Sequence, residues 1–330
     1  MLGLSVCPRD SFRNGKRAAR LVVLAPLLIL LGCASAPQTK ALLEDAETNN
    51  RTASYTIGQV PFFPQEIYQC GPAALATVLS HTGLAVTPES LSPDVYIPGR
   101  EGSLQIELVG AARSRGRVVY ELDGSIETLV EEVSAGNPVL VLQNLSIEAF
   151  PQWHFAVVKG YDLDEETLVL NSGPIEDYRL KLSTFERTWA RADYWGITTL
   201  PPDSVPATAQ PESYLQSLWD FEQTATDSRQ VLDAYSAAVG RWPRNAAMVM
   251  ALGNLQLANS NPGAAADHYS SVIELDPLYA PAHNNLAYAY AELRNFEQAL
   301  FHANTAVELA GASGDYQESL HEITKLSRGR

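Results

Sequence analysis

The stretch QEIYQCGPAAL at residues 65–75 decides the fold of the first half of the chain. Its apolar composition after Cys70 predicts a helix from about Cys70 to Thr82, with Pro72 in the first turn, where a missing N–H does no harm. A helix N-terminus presents free N–H groups and a partial positive charge, which favour thiolate over thiol. Gly71 allows a substrate backbone to approach the sulphur. The sequence therefore predicts that Cys70 is an activated nucleophile with a pKa below the free-thiol value of about 8.5.

A nucleophilic cysteine needs a base, and His154 is the candidate. It is the only histidine between His81, at the far end of the predicted helix, and His268, and it opens the strand-like run HFAVV at 154–158. A histidine beside apolar residues is by itself more typical of a core or edge position. Combined with a cysteine that begins a helix upstream, it predicts the Cys-then-His chain order of papain-like enzymes.

Two further roles have candidates. Asn171, at the end of the next predicted strand, is placed to orient the imidazole, although Asn-Ser-Gly is also ordinary turn chemistry and the two interpretations have equal weight. Gln65, helped by the backbone N–H of Cys70, is the candidate oxyanion donor, and Gln69 is the alternative because it is nearer in sequence.

The N-terminal segment predicts an envelope address. A basic stretch precedes the apolar run Leu21–Leu31, which suits a signal-peptide core and is short for a membrane span. It ends in Gly32-Cys33, which resembles a bacterial lipobox, so Cys33 is predicted to be acylated and to begin the mature chain. The alternative is a secretory signal cut after Ala34 or Ala36. The lipobox implies an outer-membrane lipoprotein facing the periplasm, held to the membrane by its lipid alone.

The rest of the chain divides by composition, and we expect residues 52–200 and 212–330 to fold separately. The predicted segments are the lipoprotein signal peptide at 1–32, a polar tether at 33–55, an α+β domain at 56–200, a Pro-rich linker at 201–211 and an all-α domain at 212–330. Short apolar runs at 138–142, 154–158 and 167–170 predict strands in the α+β domain. Helices are predicted at 103–114, with Ser103 as the cap, and at 125–135.

The last segment repeats with a period of 34 residues. Copies from Ala246 and Ala280 place small and aromatic residues, among them Gly253, Ala265 and Tyr269, at the diagnostic positions of tetratricopeptide repeats. A degenerate copy begins near Glu212, and residues 314–330 predict a cap helix. The resemblance implies a helical solenoid that binds a protein partner or the substrate in its concave groove.

The segments around Cys70 and His154, VPFFPQ at 60–65, CGPAAL at 70–75 and HFAVV at 154–158, resemble the bacteriocin-processing cysteine peptidase family over residues 56–200. This resemblance implies a papain-like fold and cleavage of a leader peptide after a double glycine. It carries catalytic roles onto Gln65, Cys70, His154 and Asn171. The chain departs from the family in three places: Gln65 lies five residues before the cysteine instead of six, Gln69 replaces an aspartate, and Asn171 replaces an aspartate.

Composition excludes other classes of function. The net charge of -15 argues against nucleic acid as a partner. The histidines of the repeats lack ligand spacing, so no metal site and no cofactor are predicted. We therefore expect a cysteine peptidase that hydrolyses a peptide or protein substrate. The alternatives are a catalytically inactive scaffold lipoprotein and a papain-like cell-wall amidase or acyltransferase.

Overall fold

The computed structural model describes residues 36–49, 51–64, 70–100, 102–311 and 314–329. Residues 36–330 form one compact unit. In its first part, the helices are α1 (Pro37–Asn49), α2 (Cys70–His81), α3 (Pro88–Val95), α4 (Gln105–Arg113), α5 (Ile126–Ser134) and α6 (Leu182–Ala190). The strands are β1 (Ser54–Thr56), β2 (Val118–Glu121), β3 (Val139–Asn144), β4 (Trp153–Asp162), β5 (Thr167–Ser172), β6 (Ile175–Lys181) and β7 (Gly196–Leu200).

These strands form one antiparallel sheet in the order β2-β7-β3-β4-β5-β6, with β1 pairing with β4. Alternation along β4 divides two cores, because successive side chains point to opposite faces. Phe155 and Val157 face α2 and α4, whereas Ala156 and Val158 face α5 and α6. The predicted α+β class is confirmed, with helices on both faces of the sheet.

The predicted polar tether is a helix packed on this domain. Leu42 of α1 is buried in the core under α5 and α6. The free N–H groups of Gln38 and Thr39 donate to the carboxylate of Glu186 at 3.0 and 2.7 Å. A carboxylate at a helix N-terminus satisfies donors that would otherwise need water. Tertiary contacts therefore fold a segment whose composition predicted a tether.

The helix predicted over 103–114 begins at Gln105, with Leu104 as its N-cap, so Ser103 does not cap it. The helix predicted over 125–135 is α5, and Ser125 caps it by accepting from the N–H of Glu127. The three apolar runs predict only β3, β4 and β5, and the strands β1, β2, β6 and β7 lie outside these runs.

Seven helices follow, and they are α7 (Pro211–Glu222), α8 (Ser228–Arg241), α9 (Ala246–Ala258), α10 (Pro262–Leu275), α11 (Ala280–Glu292), α12 (Phe296–Ala310) and α13 (Gly314–Arg328). The pairs α9–α10 and α11–α12 start 34 residues apart, as the sequence repeat predicts. Gly253 permits their close packing, since a Cβ there would lie 2.7 Å from the ring of Tyr269. The predicted repeat architecture is confirmed.

The Pro-rich segment 201–211 lies against both parts of the unit. The buried carboxylate of Glu132 accepts from the N–H and the hydroxyl of Thr208 at 2.7 and 2.6 Å. Beyond the segment, Tyr214 of α7 is fully buried in one core with Val118 and Tyr120 of β2. The structure therefore has a shared apolar core where the sequence predicted a linker between separately folding domains.

Candidate active site

Cys70 begins α2, and its sulphur lies beside β4. The backbone N–H groups of Phe155, Gly71 and Cys70 itself lie near enough to the sulphur to lower the pKa of the thiol. The pairing of β4 with β5 starts only at Val157, so the edge of β4 around Phe155 lies beyond the part paired with β5. Because Phe155 directly follows His154, the thiol lies beside the strand segment that carries the imidazole.

His154 is half-buried, and its Nε2 lies 2.9 Å from Ser172 Oγ. When Nε2–H donates to Ser172, Nδ1 is unprotonated and is the ring nitrogen available to accept a proton from Cys70. Among the residues that the structure describes, no direct hydrogen bond joins the Cys70 sulphur to the His154 ring; both groups have other partners.

Asn171 lies elsewhere. It pairs with Val157 across the β4–β5 ladder, on the face that packs against α2, and its Nδ2 donates to the carbonyl of Pro61 at 3.3 Å. His154 and Ser172 alternate with these residues along their strands. Because His154 lies at the end of β4, ahead of its first pair with β5, a proton transfer from Cys70 to its ring passes across the edge of β4 that β5 leaves unpaired. The hydrogen bond to His154 that the sequence assigned to Asn171 is made instead by the next residue, Ser172. Asn171 Oδ1 is buried and has no hydrogen-bond partner among the described residues.

The remaining predicted positions fall outside the described residues. Gln65 and Gln69, the two candidates for the oxyanion site, both lie in the segment 65–69, and Cys33 lies before residue 36. Their roles remain predictions.

Gly71 is required by a contact within the protein. A Cβ on Gly71 would lie 2.3 Å from the Oγ of Ser103 and 2.5 Å from its Cβ. Ser103 Oγ is buried without a hydrogen-bond partner in the described part of the chain. The loop before α4 therefore closes over the start of α2, next to Cys70, and this contact was missed because Ser103 was interpreted as a helix cap.

Burial determines the charge state of the pair. It raises the pKa of the Cys70 thiol above its ordinary value, and the three N–H groups at the sulphur offset this rise only in part. Burial also lowers the pKa of His154. The sequence expectation of a lowered cysteine pKa is therefore wrong for this geometry, in which the resting pair is a neutral thiol and a neutral imidazole at pH 7.

We expect the alkylation of Cys70 by iodoacetamide to be slow at pH 7 and to accelerate with a midpoint above the free-thiol value of about 8.5. The reason is that only the thiolate reacts, and burial makes the thiolate costly. The rate constant between pH 5 and 10, measured by mass spectrometry of the Cys70 peptide, checks this. A rate that is already constant by pH 7 would restore the thiolate pair expected from the helix terminus. Free glutathione is the control for the reagent.

The repeats also bring two histidines together. The Nδ1 atoms of His283 and His302 lie 3.0 Å apart, and His283 Nε2 lies 3.2 Å from the carbonyl of Pro277. Since the carbonyl can only accept, Nε2 of His283 carries its proton and Nδ1 of His302 donates to Nδ1 of His283.

Within the described ranges, no group of three or more His, Cys, Asp or Glu side chains could hold a metal ion. In the same ranges, every helix is too short or too polar to cross a membrane.

Comparison with known proteins identifies both parts of the chain. Residues 57–197 match the model of the Peptidase_C39 like family, and residues 224–280 and 268–301 match two tetratricopeptide-repeat models. No curated protein matches the chain. The chain therefore joins an α+β peptidase-like domain with an antiparallel sheet to a C-terminal helical tetratricopeptide-repeat region.

Solved structures resemble each part at low identity. A putative C39-like peptidase from Bacillus anthracis is 19% identical, with 45% of this chain and 98% of that chain covered and a TM-score of 0.39. The first repeat domain of Spaghetti (RPAP3) bound to an HSP90 peptide is 14% identical, with 36% and 94% covered and a TM-score of 0.33. The Sgt2 repeat domain from Aspergillus fumigatus is 17% identical, with 36% and 79% covered and a TM-score of 0.33.

Proposed function

We propose that this protein is a cysteine peptidase that hydrolyses peptide bonds through an acyl-enzyme on Cys70, with His154 as the base. The observation that carries the proposal is the position of the thiol at the start of α2, beside the strand segment that holds His154. A neutral imidazole can act as a base near pH 7, whereas an imidazolium cannot. The lowered pKa of His154 keeps the ring in the form that the reaction needs.

The proposed reaction proceeds in two stages. The sulphur attacks the scissile carbonyl carbon as its proton passes to His154 Nδ1, and the carbonyl π electrons move to oxygen. The tetrahedral adduct then collapses, the C–N bond breaks, and His154 returns the proton to the leaving amine. Water then attacks the carbonyl carbon of the resulting thioester while His154 takes its proton. This second adduct collapses with cleavage of the C–S bond, and His154 returns the proton to the sulphur, which releases the carboxylic acid and regenerates the thiol. Ser172 keeps Nε2 engaged and Nδ1 available throughout.

Trapping the acyl-enzyme tests this proposal. We expect a peptide aldehyde or vinyl sulfone to add covalently to Cys70 of the full chain, and we expect cleavage of unfolded protein substrates that Cys70→Ala loses. Circular dichroism of Cys70→Ala checks that its fold is retained. Absence of adduct and of cleavage across such substrates would instead favour a peptidase-like scaffold. An adduct with transfer to added amines in place of hydrolysis would assign acyl transfer.

The proposed site of action is the periplasmic face of the outer membrane, with Cys33 acylated. The support is the lipobox-like sequence at Gly32-Cys33, which leaves residues 34–36 between the lipid and α1. We expect labelled palmitate to be incorporated into the wild type, and Cys33→Ala to be unlipidated and recovered in the soluble fraction. Cys7→Ala is the matched control. A wild type that takes up no label while Cys33→Ala still fractionates with membranes contradicts the anchor.

We also propose that the repeats bind a protein partner or the substrate. The support is the match to tetratricopeptide models. The groove residues Asn254, Tyr269 and Asn285 already form a hydrogen-bonded set, in which Asn254 Oδ1 accepts from both neighbours at 2.9 Å.

A further inference from the structure

The loop between β3 and β4 exposes apolar side chains next to His154. Leu145, Ile147, Phe150 and Trp153 are 44, 61, 76 and 53% exposed. The described residues include fourteen exposed large apolar side chains, and four of them fall within the nine positions from 145 to 153. We call these four side chains the apolar loop surface. Clustered exposure of this kind marks an interaction site more often than scattered exposure does.

This loop is held in a defined shape. Asn144 Oδ1 accepts from the N–H groups of Ser146 and Gln152 at 3.0 and 2.9 Å, and Leu145 N–H donates to Gln152 O at 2.9 Å. Arg191, the residue directly after α6, donates to the carbonyls of Asn144 and Ser146. The apolar side chains are therefore presented by an ordered loop, so their exposure does not arise from a segment without contacts.

The surface adjoins the candidate active site along the chain. Trp153 directly precedes His154, and the same strand supplies the Phe155 N–H that reaches the Cys70 sulphur. On the cysteine side, Ile106 of α4 is 74% exposed, three residues after the Ser103 that packs on Gly71. Exposed apolar side chains therefore lie on the chain segment that precedes His154 and on the helix α4, which follows the loop next to Cys70.

Charge distinguishes among the possible occupants. Glu148 is the only charged residue between 145 and 153, and no lysine or arginine lies there. A surface that docks on anionic lipid gains from basic residues, and the positions from 145 to 153 carry none. The neighbouring Arg191 donates to the loop carbonyls of Asn144 and Ser146. Apolar contact without basic residues, beside a nucleophile, fits a peptide with apolar side chains and without acidic ones.

We propose that the apolar loop surface binds an extended, neutral or basic peptide segment with large apolar side chains, and that it selects substrates by those side chains. This inference rests on the proposed peptidase function and names its substrate class. Burying each large apolar side chain against the loop raises the affinity about tenfold or more, so two such contacts together raise it about a hundredfold or more.

Binding to the inactive variant tests this without requiring turnover. In full-chain Cys70→Ala, we measure fluorescence anisotropy with a labelled ten-residue peptide that carries Leu, Phe and Ile, and with a partner peptide that carries Ser at those positions. We expect the apolar peptide to bind. We expect the added changes Ile147→Ser and Phe150→Ser to weaken it at least about tenfold. Leu326→Ser, in the cap helix α13 outside the two repeat copies and 54% exposed, is the matched control and should leave the affinity unchanged.

The outcomes separate the two proposals. Equal binding of both peptides, no binding of either, or an affinity that the loop changes leave unaltered overturns the inference. The same holds if the loop variants lose binding to vesicles of phosphatidylethanolamine and phosphatidylglycerol, or lose self-association, while peptide affinity stays unchanged. Loop-dependent peptide binding supports the inference even where the wild type cleaves nothing, and in that case only the peptidase proposal fails.

Discussion

Replacement of His154 by alanine is expected to lower kcat/KM for peptide cleavage by about 10²–10⁴-fold, the range that a positioned acid–base group contributes. Without the imidazole, the thiol must lose its proton to water, and burial makes that loss more costly because it raises the cysteine pKa. Initial rates on the same peptide at pH 7 and pH 9 measure the effect. The loss should be smaller at pH 9, where hydroxide already deprotonates a larger fraction of the thiol than at pH 7.

The two neighbouring residues should differ sharply in the same assay. Ser172→Ala removes the hydrogen bond to His154 Nε2, and loss of one such bond corresponds to about a tenfold fall in kcat at unchanged KM. Asn171→Ala removes the bond to the Pro61 carbonyl and should lower the urea midpoint more than it lowers kcat. If Ser172→Ala left kcat unchanged while Asn171→Ala was folded but inactive, the orienting role would belong to Asn171.

The difference between Asn171 and Ser172 shows where sequence reasoning stops. Strand alternation predicts which residues share a face, but one shift of register exchanges the faces. Here β5 shifts against β6 between Leu170 and Ser172, and β4 shifts against β5 between Val158 and Gly160. Gly160 and the Asn-Ser-Gly run mark where the ladders are irregular, but neither fixes the register. The strand and its polar end could therefore be predicted, and the residue that faces His154 could not.

The helix that begins at Cys70, the strand that carries His154 and the repeats were predictable because their signals are local. A cysteine at a helix start, a histidine opening an apolar run and a period of 34 residues can each be read from a few neighbouring positions. The pKa of Cys70 is different, because its sign depends on how deeply the tertiary structure buries the sulphur. Local sequence supplies the helix N-terminus, which lowers this pKa. Only the packed structure supplies the burial, whose upward effect on the pKa is the larger of the two.

The folded tether and the anchored Pro-rich segment have a common physical reason. Both are polar and both are held by a buried carboxylate from a distant helix, Glu186 for α1 and Glu132 for Thr208. Hydrogen bonds between residues 76 to 148 positions apart leave no pattern in the local sequence. Composition therefore predicted two flexible connections at the places where specific long-range bonds form.

The largest stability effect is expected for Tyr214→Ala. Tyr214 is fully buried between the sheet and the repeats, with its ring centroid 6.1 Å from that of Tyr120 and 5.7 Å from that of Trp242. Removing a buried aromatic ring costs about 3–5 kcal/mol of unfolding free energy, and this ring belongs to the core that joins the two parts. We expect the wild type to unfold in urea with one midpoint, and Tyr214→Ala to unfold at lower urea with two.

Two probes distinguish these cases. Circular dichroism at 222 nm follows mainly the helical repeats, and labelling of Cys70 by a thiol reagent follows the opening of the peptidase-like domain. Tyr214→Phe is the matched control: it keeps the ring and loses only the hydroxyl bond to the Ser204 carbonyl, which costs about 1 kcal/mol and should leave the two midpoints coincident. Two separate midpoints already in the wild type, both insensitive to Tyr214→Ala, would mean that the domains fold independently as the Pro-rich composition suggested. A shared midpoint that Tyr214→Ala splits means that the core around Tyr120 and Tyr214 couples the stability of the candidate active-site domain to that of the repeats.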